Sequence, residues 1–131
     1  MEFVKVNMNP SGWNCGDCVI RALSKAEDLT WEEVYDDLVA IGRKKHRMPN
    51  DTRVYKKWLE DRGYVQLPQP KHLNGTKYTV MDYIDEMKYS NMKLLIHITH
   101  HILYAYNGVE YDTGCIRWHK VGKVWAKKVE G

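Results

Sequence analysis

Asn14-Cys15-Gly16-Asp17-Cys18-Val19-Ile20-Arg21-Ala22-Leu23 runs from a small-residue turn with two cysteines straight into an apolar helical pattern. Val19, Ile20, Ala22, Leu23 and Ala26 recur at helical spacing. Asp17 is a residue type that caps helices, so the spacing predicts Cys18 at the first helical position of a helix over residues 18–25. A thiol there meets unpaired backbone N–H groups and the positive end of the helix dipole, which favour the nucleophilic thiolate. The same N–H groups are placed to hold an oxyanion forming beside the sulfur. Arg21, one turn on, either adds positive charge or pairs with Asp17. A free cysteine is most often a small buried hydrophobe. Cys15-Gly16-Asp17-Cys18 also forms a C-x-x-C, which suits thiol–disulfide exchange or half of a zinc site. The choice turns on whether a base and an acid to orient it exist elsewhere.

The rest of the chain predicts helices first and strands later. Thr30-Trp31-Glu32-Glu33 is a capping box with Leu29 and Val34 at the staple positions. Trp31, Val34, Tyr35, Leu38 and Ile41 make one apolar face, and Gly42 is the expected stop. The basic run from Arg43 to Arg47 reads as a solvated loop that the dipole favours. Asn50 or Asp51 opens a third helix with Val54, Tyr55, Trp58 and Leu59 inward. Residues 64–67 fit a short strand, Pro68-Gln69-Pro70 a surface connection, and Thr79 the cap of a fourth helix. From Lys93 to Tyr106 the pattern reads as strand. Asn107-Gly108 is the strongest short hairpin signal, with returning strand from Val109 to Thr113 and one or two further strands over Ile116 to Lys128. Phe3, Val4 and Val6 fit an edge strand. The order predicts an α+β domain over residues 1–131, with N-terminal helices packed on a C-terminal antiparallel sheet.

The hairpin supplies the missing pair. Pairing symmetric about Asn107-Gly108 sets Tyr106 opposite Val109, Leu103 opposite Asp112 and His101 opposite Gly114. His101 and Asp112 are then diagonal neighbours on one face, within side-chain reach, while His100 points to the other face. A carboxylate beside an imidazole holds it in one tautomer for base work. Cys18, His101 and Asp112 together make a nucleophile, a base and an orienting acid.

These residues resemble those of papain-like cysteine peptidases, whose Cys-Gly-Ser-Cys-Trp segment parallels Cys15 to Val19. More closely, the chain resembles a group of short papain-like proteins of bacteria and phages. The shared features are Asn9-Pro10, the run Gly16 through Leu23, His101 before an apolar strand, Gly108, and Tyr111-Asp112-Thr113. The resemblance implies a minimal papain-like fold and a Cys18/His101/Asp112 triad acting on a peptide or protein substrate, with no cofactor and no metal. Papain-like enzymes carry an oxyanion-hole Gln six residues before the nucleophile. Gly12 stands there in this chain, so Asn9 or Asn14 is the expected substitute, with Asn9 preferred because the smaller group also carries Asn-Pro. Cys15 is not expected to be disulfide-bonded.

Composition narrows the alternatives. The 131 residues fit one core. A net charge of +3 is too weak to argue for nucleic acid. Nine Tyr and five Trp against one Phe favour aromatics at core edges or in a cleft. Three cysteines, no signal peptide and no long apolar run predict a cytoplasmic protein, in the host cytoplasm if phage-encoded, with no membrane partner. Against the hydrolase stand a non-enzymatic interaction protein on the same fold, an oxidoreductase using Cys15 and Cys18, and a zinc protein. The last two are weakened by the lack of a βαβ pattern and of a second ligand pair.

Overall fold

In the computed structural model, which describes residues 1–13 and 15–130, the sulfur-bearing helix crosses the middle of a six-stranded sheet. The elements run β1 (Glu2–Lys5), α1 (Cys18–Glu27), α2 (Trp31–Lys45), α3 (Thr52–Asp61), β2 (Val65–Leu67), α4 (Val80–Glu86), β3 (Met92–Ile98), β4 (His101–Tyr106), β5 (Val109–Asp112) and β6 (Val124–Lys128). The strand order is β1-β5-β4-β3-β6-β2. Helix α1 starts at Cys18 as the sequence predicts. The fold is α+β, but the sheet is mixed rather than antiparallel, because β1 pairs parallel with β5 through Glu2↔Val109 to Lys5↔Asp112. Pairing of the two ends of a chain is set by tertiary packing, and no local pattern announces it.

The sheet is covered on both faces. On one lie α1, α2 and α3, whose Leu23, Val34, Leu38, Val54, Trp58 and Leu59 meet Leu95, Ile102, Tyr104 and Trp125. On the other, Val80, Tyr83 and Ile84 of α4 pack with Leu94, Ile96, Leu103 and Val124. Alternation along β3 and β4 sends successive side chains to opposite cores, so these strands read as continuous apolar runs. A side chain such as Leu23, wholly buried, contributes about 2 kcal/mol through its burial. The far end of α1 is held polar-to-polar: Lys93 Nζ donates to the Ala26 carbonyl at 2.6 Å and to Glu27 at 3.1 Å, and Tyr64 and Lys127 also donate to Glu27.

The Thr30 capping box forms, with hydroxyl and Glu33 carboxylate each satisfying a backbone N–H. Asp51 and Thr79 cap α3 and α4. Three expectations need correction. Helix α2 does not stop at Gly42; it runs to Lys45 and closes at His46 in the left-handed conformation, so Arg43, Lys44 and Lys45 form its last turn. Gly42 is instead a point of close approach, since a Cβ there would meet the Arg47 carbonyl oxygen at 2.5 Å. Asp17 occupies the cap position of α1, but its side chain makes no capping bond. Residues 93–106 are two strands, not one. They are joined by a Thr99-His100 turn between the paired Ile98 and His101, with His100 at φ +59°, a conformation that His adopts more readily than most residues. His100 is therefore a turn residue and not the opposite face of a strand.

Candidate functional site

The β4–β5 hairpin has the symmetric register that Asn107-Gly108 predicts: Tyr106↔Val109, Ala105↔Glu110 and Tyr104↔Tyr111. Both turn residues have positive φ, 52° and 79°, as a two-residue turn matched to strand twist requires. The consequence is local. His101 Nε2 and Asp112 Oδ2 lie 2.6 Å apart, with Asp112 buried and His101 half-buried. Asp112 is itself steadied by the Thr113 N–H, which donates to Oδ1 at 2.7 Å. With Nε2 committed to Asp112, Nδ1 is the nitrogen left for Cys18, which lines the same cleft as His101 and is close enough to influence its charge. The structure thus brings together Cys18 from α1, His101 from β4 and Asp112 from β5.

The electrostatics favour an ion pair. Hydrogen bonding to Asp112, then to Cys18, raises the His101 pKa to about 9 against the opposing effect of burial. Burial pushes the Cys18 thiol up. The His101 hydrogen bond, the Ile102 backbone N–H and the charges of His101 and Arg21 outweigh it, leaving the thiol below its usual 9.0. The two shifts act in the same sense, each favouring the charged partner, thiolate on one side and imidazolium on the other.

Asp17 shows how the cysteine is held. Its Oδ2 accepts from Asn9 Nδ2 at 3.0 Å and from the Trp31 indole at 2.8 Å, and its Oδ1 lies 3.1 Å from Arg21 Nε. Two donors reached through tertiary structure, Asn9 and Trp31, with the charge of Arg21 one turn along the helix, draw the carboxylate off the helix end, so the first-turn N–H groups beside Cys18 carry no side-chain cap. Arg21 also donates from Nη1 to Thr113 Oγ1 at 3.1 Å. The contacts therefore close on themselves: Cys18 is next to Asp17, Asp17 pairs with Arg21, Arg21 reaches Thr113, Thr113 holds Asp112, and Asp112 holds His101 against Cys18.

Asn9 is buried, but its amide is occupied. Nδ2 faces Asp17 and, at 3.7 Å, the Cys15 sulfur, while Oδ1 accepts from the Ser11 N–H and hydroxyl. It braces the loop before Cys18. Asn14 lies outside the described residues. Asn50, a helix-cap candidate in the sequence, also lies beside Cys18. With Thr52, Tyr55, His97 and His100 it lines a cleft of about 310 Å³ onto which Cys18 and His101 open. A turn residue before a helix cap carries no sequence signal for such a place. Cys15, Cys18 and Cys115 are free thiols, the first and last exposed. Among the described residues no group of three or more His, Cys, Asp or Glu is arranged to hold a metal ion, and no helix is long and apolar enough to cross a membrane.

A scan against family models, a search of curated proteins and a search of solved structures each gave no match.

Proposed function

We propose that the protein is a cysteine hydrolase of minimal papain-like fold that cleaves a peptide amide bond. The observation that carries this reading is the contact sequence from Cys18 through His101 to Asp112, closed by a 2.6 Å bond between Nε2 and Oδ2. In the resting state Cys18 is thiolate and His101 imidazolium. The sulfur attacks the scissile carbonyl carbon, and the carbonyl electron pair moves onto oxygen. In this reading the uncapped first-turn N–H groups of α1 hold that oxyanion, and Asn50, which lines the same cleft as Cys18, is the candidate side-chain donor. As the tetrahedral intermediate collapses, the C–N bond breaks and the imidazolium gives its proton to the departing amine. The acyl group is left on Cys18 as a thioester. Neutral His101 then takes a proton from water, the resulting hydroxide attacks the thioester, and acid and thiolate are regenerated. Asp112 stays ionised and keeps the ring aligned.

A second reading, an interaction protein that keeps this fold without turnover, draws on the large exposed aromatics Trp13, Tyr89 and Trp118. Alkylation with iodoacetamide near pH 6, followed by mapping of the modified cysteine, separates the two. Cys15 and Cys115 are more exposed than Cys18, so access alone favours them. Selective, fast modification of Cys18 reports an activated thiolate. Equal slow modification of all three cysteines refutes the hydrolase.

A further inference from the structure

The cleft at Cys18 does not end at His97. That side chain lines a second, larger groove of about 540 Å³ formed between β3, the connection after β2 and residues 119–123. Lys77, Lys120, Lys123, His119 and Gln69 line it, and no Asp or Glu does. Among the described residues none of these three lysines has a salt-bridge partner. In a chain whose whole net charge is +3, three unpaired lysines in one groove are a strong local excess, and concave walls focus such a field.

The groove is held open by its backbone. The Gly122 N–H donates to the His97 carbonyl and the His97 N–H to the Lys123 carbonyl, both at 2.8 Å. The Val80 N–H donates to the His119 carbonyl, and the Val121 N–H to the Tyr78 carbonyl. Gln69 Nε2 adds a bond to the Val121 carbonyl at 3.0 Å. Residues 119–123 are thus clamped onto β3 and α4. Gly122 permits the approach, since a Cβ there would lie 3.0 Å from the His97 carbonyl oxygen. His97, between the two spaces, has its pKa lowered by burial and then by Lys123, His100 and His101, so the wall itself stays neutral near pH 7.

We propose that this groove is the recognition subsite of the Cys18 centre and takes Asp or Glu residues of an extended peptide, on the side of the scissile bond that passes His97. The proposal rests on the hydrolase reading for its link to turnover, but not for binding. A single-stranded nucleic acid would also meet the lysines. It would want aromatic faces for its bases, and no Tyr, Trp or Phe lines the groove.

Binding is measured by fluorescence anisotropy on the full-length Cys18→Ala protein. Two labelled peptides share the same central residues and carry either Asp/Glu or Lys on one flank, and an unlabelled single-stranded oligonucleotide competes. The acidic peptide should bind roughly tenfold more tightly than the basic one, with an advantage that shrinks as salt is raised. Lys120→Glu/Lys123→Glu should abolish the preference and Lys120→Gln/Lys123→Gln should reduce it. Lys44→Glu/Lys45→Glu, at the end of α2 away from the groove, should leave it intact. Equal binding of the two peptides, an unchanged preference in the charge-reversed protein, or tighter binding of the oligonucleotide overturns the proposal. Turnover by the native chain is scored separately. Preferential binding without cleavage or acylation of Cys18 removes the hydrolase and leaves an acidic-peptide site. Cleavage indifferent to the flank removes the subsite and leaves the hydrolase.

Discussion

Replacing Asp112 by Asn keeps a hydrogen-bond acceptor 2.6 Å from His101 Nε2 and removes its charge. The imidazole's rise from 6.5 to about 9 corresponds to roughly 3 kcal/mol in favour of the charged ring. Asp112 is the largest cause and Cys18 the next, so Asp112→Asn should forfeit roughly 1–2 kcal/mol of it and return the ring part of the way toward 6.5. The sign follows from the direction of the shift. A folded-state value above the unfolded one gives stabilisation that is complete below about 6.5 and is lost as pH rises through about 9. Asp112→Asn should therefore lower stability most near pH 6 and least near pH 10. The assay is urea unfolding at both pH values, with the His101 titration followed by NMR and Cys18 alkylation followed against pH. Selective modification of Cys18 at pH 6 should fall with the imidazolium. An unchanged His101 titration, or an equal stability loss at pH 6 and pH 10, would refute the charge-based account.

His101→Ala should abolish low-pH alkylation of Cys18, whereas His100→Ala, at a turn, should leave it largely intact; the reverse result would mean that His101 is not the partner of the thiolate. Thr30→Ala should cost about 1 kcal/mol in urea unfolding without altering Cys18 reactivity, because it removes one half of the α2 capping box. Gly42→Ala should lower Tm, costing about 1–3 kcal/mol despite the better helix propensity of Ala, since its Cβ meets a backbone oxygen; a raised Tm would show that the Arg47 carbonyl can move aside. Cys15→Ser should retain selective alkylation of Cys18, and loss of that selectivity with the fold intact would point to paired redox chemistry.

What the sequence made legible was local or symmetric. The Thr30 box depends on residues three apart, and the His101–Asp112 pair on parity about Asn107-Gly108, whose two positive-φ residues fix the register. The rest depended on partners remote in sequence. Asp17 reads as a cap until Trp31 and Asn9 are brought round it; its pairing with Arg21, one helical turn away, was legible. The Thr99-His100 turn is hidden because neither residue is a usual turn former and apolar residues continue on both sides. Gly42 reads as a helix stop because sequence shows the freedom of a glycine but not the carbonyl pressed against it. β1 finds β5 across more than a hundred residues, and Asn50 reaches the cleft only because α3 starts beside it.

The closed circuit through Asp17, Arg21, Thr113, Asp112 and His101 bears on how the site tolerates error. In an open linkage, the slack of each joint adds to the slack of the next, and the final gap inherits the sum. Here Asp17 and Arg21 ride on the same helix end as the Cys18 sulfur, and Arg21 reaches Thr113 beside the acid, so a displacement of α1 along the sheet bears on the acid as well as on the sulfur. The base is tied to the acid by the 2.6 Å bond between Nε2 and Oδ2. Sequence drift in the two cores can then shift helix against sheet by fractions of an ångström while the gap between nucleophile and base stays in register. A change at Arg21 or Thr113, neither of which touches the reacting atoms, would cut the circuit and let every such shift fall on that one gap.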